Sequence, residues 1–351
     1  MIPPSRGIDF FILTGPLGSG KTTLLEQLLN QEEAGSGTAV IVNEAGAVNI
    51  DGAVLVESAN GTVIETLSNG CVCCSLGNDL VSTIQDLIEA RARMDLPPFH
   101  RIILECSGLS IPGEVVRSLA GVAHLQMAVS IVCTYDCTRP PLLENQFEAV
   151  AAQLSAASTV VLTKLDQGDQ RAMREARSTV ERVNPFAAIV EETSPAARSQ
   201  RAFADAAKRP LDTTLPQRKL VLASPHPRIR VYHAQLTEPD PGDAIDWLEN
   251  ITGCLGEKLL RCKTLISTPE GDLLMQTVGT AFSAPRLIRK KPASQSVAIF
   301  ITQDCALAEL ERVPCMVALE WLNQAEQANA APARTPTIES SLAAASTYPT
   351  V

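Results

Sequence analysis

Asp9-Phe10-Phe11-Ile12-Leu13-Thr14-Gly15-Pro16-Leu17-Gly18-Ser19-Gly20-Lys21-Thr22-Thr23-Leu24-Leu25 joins a short apolar run to a glycine-rich loop, and the loop to apolar residues at helical spacing. Residues 15–22 fit G-x-x-x-x-G-K-[ST] directly after a strand signal and before a helical one, the context in which that pattern has a mechanism. The glycines let the backbone curl, so that the N–H groups of Gly15, Gly18, Ser19 and Gly20 point at phosphate oxygens. The helix that follows adds its positive N-terminal end. In this reading Lys21 reaches the β- and γ-phosphates and the Thr22 hydroxyl binds Mg²⁺. A plain glycine-rich turn is the competing reading, and the flanking elements disfavour it.

Outward from the loop, residues 1–195 alternate strand and helix signals. Aliphatic runs at 39–42, 101–104, 127–133 and 159–162 are separated by helical patterns that include 79–93 and 170–183. Short buried runs between helices indicate an α/β fold, a doubly wound and mainly parallel sheet covered on both faces, of the P-loop NTPase type. Residues 196–227 carry Pro210, Pro216, Pro225 and Pro227 with little apolar periodicity, and read as a proline-rich linker holding one short helix at 201–208. Residues 228–323 read as a smaller α+β domain: a strand at 228–236, a helix at 241–251, strands at 258–267, 272–282 and 296–302, and a helix from Cys305. Residues 324–351 are rich in Ala, Pro, Thr and Ser and are expected to be a disordered tail.

The 351 residues suffice for two cores, and a net charge of −10 argues against nucleic acid as the main partner. The basic strip at 286–291 is expected to be a solvated segment. The sequence has no run of 18 apolar residues and no secretory signal pattern at its start, so no membrane association and a cytoplasmic location are expected. In that compartment the ten cysteines are read as packing, redox or metal residues rather than as a disulfide framework.

Other chemistry-bearing residues fall at strand ends. Val160-Val161-Leu162-Thr163-Lys164-Leu165-Asp166 resembles the guanine-specifying N-K-x-D: Asp166 would accept hydrogen bonds from guanine N1 and N2, Lys164 would lie along the base, and Thr163 stands in the usual Asn position. A solvated strand end with a chance Lys and Asp is the alternative. Asn43-Glu44 and Glu105-Cys106-Ser107-Gly108 follow two further strands, where a doubly wound sheet places its ligands. Glu105 would act through water on Mg²⁺ or near the attacking water, and Gly108 would give its N–H to the γ-phosphate.

Asn69-Gly70-Cys71-Val72-Cys73-Cys74 places three thiols in four residues. Thiolates suit Zn²⁺, Cu⁺ and Fe–S chemistry. One or two of Cys71, Cys73 and Cys74 together with Glu44 would form an incomplete coordination shell, which suits a carrier because a closed tetrahedral site retains its ion. A redox thiol pair and small buried apolar residues are the alternatives. Cys106 and Cys133 are expected mainly in the core. Cys254, Cys262, Cys305 and Cys315 are read as packing residues, and His226 and His233 as structural or surface residues.

These motifs together resemble the CobW-like GTPases, a group that includes zinc-responsive metallochaperones, over residues 9 to about 320. Residues 14–25 are similar to the family's phosphate loop, which brings in Thr23. Asn43-Glu44-Ala45-Gly46 with Ile50-Asp51 resembles its switch segment, Asn69-Gly70-Cys71-Val72-Cys73-Cys74 its N-G-C-x-C-C motif, and residues 105–112 its E-T-[ST]-G-x-x-x-P. Asn184-Pro185 matches a further N-P element. The resemblance implies GTP binding, slow Mg²⁺-dependent hydrolysis with Lys21, Glu105 and Gly108 in the catalytic site, and a transition metal held around the cysteines. It also implies delivery of that metal, often Zn²⁺, to a client metalloprotein, by a monomer or a dimer. Assembly of a specific metalloenzyme or of cobalamin, with Co²⁺ or Fe²⁺ as cargo, and a regulatory GTPase adaptor with structural cysteines are the alternatives. A small-molecule kinase would share the phosphate loop but leave the thiols unexplained. The chain departs from the family pattern at Ala45, Ala47, Cys106 and Thr163 and lacks a His-rich stretch.

Overall fold

The computed structural model describes residues 7–31, 37–43, 63–66, 76–139, 146–207, 228–288 and 295–322. Uninterrupted apolar strands must be covered on both faces, and the first half of the chain supplies that cover. Its strands are β1 Asp9–Thr14, β2 Thr38–Val42, β3 Val63–Thr66, β4 Arg101–Glu105, β5 Ala128–Asp136, β6 Thr159–Thr163 and β7 Ala188–Val190. They form one sheet in the order β3-β2-β4-β1-β5-β6-β7, paired in parallel throughout. The helices are α1 Lys21–Leu29, α2 Leu76–Arg93, α3 Pro112–Ser118, α4 Phe147–Ala156, α5 Gln170–Val183 and α6 Pro195–Ala207.

Side chains alternate along β1. Phe11 and Leu13 face Leu25 and Leu28 of α1 and Ala202 and Phe203 of α6, whereas Phe10 and Ile12 join the core beneath α2, α3, α4 and α5. Register pairs Leu13 with Glu105 and Thr14 with Cys133. The phosphate loop, Glu105 and the end of β5 therefore leave the carboxyl edge of the sheet side by side, where open α/β sheets bind ligands.

The second half adds β8 Ile229–Leu236, α7 Pro241–Leu255, β9 Leu259–Thr268, β10 Gly271–Val278, β11 Ala281–Ile288, β12 Ser296–Gln303, α8 Leu307–Glu311 and β13 Leu319–Leu322. Its six strands form an antiparallel sheet ordered β11-β10-β9-β12-β8-β13. Trp247 of α7 packs edge-on against Phe300 of β12, with ring centroids 5.6 Å apart. Ile229, Val278, Ile299 and Ile301 share one core with the α2–α5 face of the first sheet, so the two sheets are joined by continuous apolar packing.

Three expectations need correction. Residues 196–207 are not linker: the short helix expected at 201–208 is the second half of α6, which buries Ser199, Ala202, Phe203 and Ala206 against the sheet, and Phe203 meets Phe11 with centroids 5.2 Å apart. Residues 272–282 are not one strand, because the chain reverses at Gly279 and Thr280 to form the β10–β11 hairpin. The helix expected from Cys305 begins at Leu307, and β13 follows it. The remaining linker, residues 208–227, and the tail, 324–351, lie outside the described residues. So do residues 289–291 of the basic strip, whose Arg286 is exposed on β11.

Candidate nucleotide site

The loop between β1 and α1 is built on close approaches. A Cβ on Gly15, whose φ is 139°, would stand 2.4 Å from the Thr134 hydroxyl, so only glycine lets the loop lie against β5. Ser19 is buried and its hydroxyl meets that of Thr134 at 2.7 Å. The Lys21 ammonium donates to the carbonyls of Gly15 and Pro16 at 2.9 and 3.2 Å, which keeps it under the loop rather than in solvent. The Thr22 hydroxyl donates to Glu105 Oε1 at 2.7 Å, and Glu105 is buried. Thr23 is exposed on the first turn of α1.

Gly108 also requires the absence of a side chain. A Cβ there would come within 2.5 Å of the Leu17 backbone nitrogen, so the loop after β4 rests directly on the phosphate loop. Asn43 follows β2 and donates its backbone N–H to the Glu105 carbonyl at 2.9 Å. Cys106 is buried beside Glu105, and burial pushes its thiol up to about 12, as it does for Cys133.

On the base side, the Thr163 hydroxyl donates to the Ser19 carbonyl at 2.7 Å and approaches the Tyr135 carbonyl at 3.2 Å. Thr163 thus ties the β6 loop to the phosphate loop. Lys164 has a φ of 54°, in the left-handed region, and its ammonium donates to Asp136 Oδ2 at 2.6 Å. Asp166, two residues on, is exposed at the turn.

Asp136 and Arg139 escaped the sequence reading. The Asp136 carboxylate accepts from Lys164 and from the Thr138 hydroxyl and N–H at 2.7 and 2.9 Å. Burial raises its pKa, but the Lys164 ammonium and the two Thr138 donors outweigh burial and hold it below the usual aspartate value. Arg139 lies 3.4 Å from the same carboxylate and donates to the Leu17 carbonyl at 2.9 Å, bridging the end of β5 to the tip of the phosphate loop. The rule that ligands gather at strand ends, applied to Asp136, would have found this pair.

Ser19, Lys21, Thr22, Glu105, Gly108 and Thr163 are therefore brought together, and Lys164 joins them through Asp136 and Arg139. Glu44, Cys71, Cys73 and Cys74 lie outside the described residues, as does His226. Among the described residues no three His, Cys, Asp or Glu side chains stand together as a metal site. Cys262 and Cys305 are buried, as packing residues should be, whereas Cys254 and Cys315 are exposed. No helix among the described residues is long and apolar enough to cross a membrane.

The family model described as CobW/HypB/UreG, nucleotide-binding domain, matches residues 9–191. The zinc chaperone YjiA of Escherichia coli (strain K12) is 35% identical over 158 residues, 44% of this chain and 48% of that protein. Zinc-regulated GTPase metalloprotein activator 1 of Schizosaccharomyces pombe is 30% identical over 190 residues, 52% of this chain and 45% of that protein. The chain thus spans about half the length of the curated relatives it matches. The crystal structure of Zn(II)-bound YjiA GTPase from E. coli superposes with a TM-score of 0.62 at 21% identity, covering 88% of this chain and 98% of that one, a likeness of fold.

Proposed function

Because the chain belongs to the CobW/HypB/UreG family through residues 9–191, we propose that it is a GTPase metallochaperone. It binds GTP on the loop at residues 15–23, hydrolyses it slowly with Mg²⁺, and passes a transition metal, zinc foremost, to a client metalloprotein under nucleotide control. The observation that carries this reading is the Thr163 bond to the Ser19 carbonyl, which makes the base-side loop and the phosphate loop one unit.

Lys21 sets its charge against the β- and γ-phosphates, and the glycine-loop amides hold the phosphate oxygens. Lys164 lies along the base while Asp166 accepts from guanine N1 and N2, a pair of donors adenine does not present together. Mg²⁺ suits the Thr22 hydroxyl and the Glu105 carboxylate, hard oxygen donors 2.7 Å apart, and when bound it neutralises charge on the phosphates. Glu105 orients the water side of the site, and Gly108 offers its N–H to the γ-phosphate.

The cargo metal is held by one or two of the soft thiolates of Cys71, Cys73 and Cys74 with the harder carboxylate of Glu44, an incomplete set that releases its ion to a client. The relatives named as zinc chaperones and as a metalloprotein activator support zinc and a protein client. Phosphate release from GTP and from ATP tests the catalytic half. GTP hydrolysis that falls at least about 100-fold in Lys21→Ala is expected, and a preference for ATP would contradict it.

A further inference from the structure

The geometry points to Gln153 as a positioning residue for GTP hydrolysis, set from the second domain through Arg261; this rests on the GTPase reading above. Gln153 lies mid-way along α4 and is fully buried. Its side-chain amide donates to the carbonyls of Gly108 and Ser110 at 3.0 and 3.1 Å. Both partners are acceptors, so the NH₂ group must face them. Oε1 then points away and has no hydrogen-bond partner. A buried carboxamide that uses its donors and leaves its acceptor bare is costly unless the arrangement does something. Here it fixes the loop whose Gly108 rests on Leu17 of the phosphate loop. Gln153 therefore anchors the backbone at Gly108 and Ser110, and with it the position of the loop that carries the Gly108 N–H.

The second domain grips the same helix at both ends. Arg261 of β9 is fully buried, and the two N–H groups of its Nη1 are shared among the carbonyls of Ser155, Ala156 and Ala157, which lie 2.9, 2.8 and 2.9 Å from it. These are carbonyls at the C-terminal end of α4, which the helix itself leaves without partners. The Asn184 side-chain amide shares its two N–H donors among three carbonyls of the same turn, those of Leu154, Ser155 and Ala157, at 2.7, 3.1 and 2.8 Å. At the other end the Arg228 guanidinium lies 3.9 Å over the Phe147 ring and pairs with Asp304 at 2.6 Å. A short helix held at both ends moves as a rigid body, so a shift of the second domain reaches Gly108 through Gln153.

The test is single-turnover GTP hydrolysis, with GDP affinity measured in parallel, in full-length wild type, Gln153→Met, Arg261→Met, Arg261→Lys and the Gln153→Met/Arg261→Met double variant. GDP lacks the γ-phosphate that Gly108 would meet. Gln153→Met should therefore slow hydrolysis at least about tenfold while GDP affinity stays within about threefold. Arg261→Met, remote from the nucleotide, should slow it about threefold to tenfold, and Arg261→Lys should restore part of the loss. The double variant should be no slower than Gln153→Met alone, because one residue acts through the other. If Arg261→Met does not fold, Arg228→Met at the more exposed end of α4 takes its place. Hydrolysis at the wild-type rate in Gln153→Met, or losses that multiply in the double variant, would overturn the inference while the GTPase reading stands. A wild type that hydrolyses no GTP would overturn both.

Discussion

Thr163 shows how one hydroxyl can tie two loops together. An Asn at this position would have a longer reach, yet the Thr163 hydroxyl already spans to the Ser19 carbonyl. Thr163→Val keeps the shape and removes the donor, leaving a buried acceptor unmet at a cost of about 1–3 kcal/mol. We expect GDP affinity to fall about tenfold, read by fluorescent-nucleotide titration. Asp136 is a second residue-scale case. A carboxylate held below its ordinary pKa stabilises the fold while the pH is above the unfolded value, about 4, and the contribution is lost as pH falls through the lowered folded value. Asp136→Asn should therefore lower the melting temperature at neutral pH, and its gap from wild type should close as the pH drops below about 4. A gap that does not narrow as the pH falls below about 4 would remove the charge argument. Lys21, Thr22 and Glu105 were legible because motif and strand-end position converge on them. Asp136 was legible only through its strand-end position, whereas Arg139 and Gln153 were not, because each acts on a loop far away in sequence, and no local pattern marks a partner 122 or 45 residues distant.

At the scale of elements, the loop after β4 owes its position to one missing side chain. Gly108→Ala would press a Cβ against the Leu17 backbone, and backbone cannot swing aside as a flexible side chain can. Hydrolysis should fall about tenfold or more in single-turnover assays, since losing one well-placed donor commonly costs that much or more. α5 offers a contrast without catalytic consequence. Asp169 caps it by accepting from the Ala172 N–H at 2.7 Å. Asp169→Ala should cost about 1 kcal/mol, a melting shift of roughly 2–4 °C, with hydrolysis unchanged. The central strands and α5 were readable because parallel buried strands are uninterrupted aliphatic runs and α5 has a strong amphipathic period. The β10–β11 hairpin was not, because Val278-Gly279-Thr280-Ala281 breaks an apolar run too briefly to register as a turn. Only the second half of α6 was expected, as a short helix in a linker; its start at Pro195 and its packing were obscured by small residues, which bury little area but fit closely on the sheet.

At the scale of the whole molecule, the shared core and the Arg261 clamp join the second domain to the sheet that carries the nucleotide loops. The cysteine segment, residues 71–74, falls in sequence between β3 and α2, and β3 lies at the edge of the sheet that carries the nucleotide loops. We propose that nucleotide and metal binding are linked, and linkage is reciprocal: a nucleotide that changes metal affinity is itself bound differently when metal is present. Zn²⁺ titration of the wild-type protein, with and without a non-hydrolysable GTP analogue, measures this directly. The account predicts Zn²⁺ affinities that differ at least about fivefold between the two states, a coupling of about 1 kcal/mol; equal affinities would contradict it.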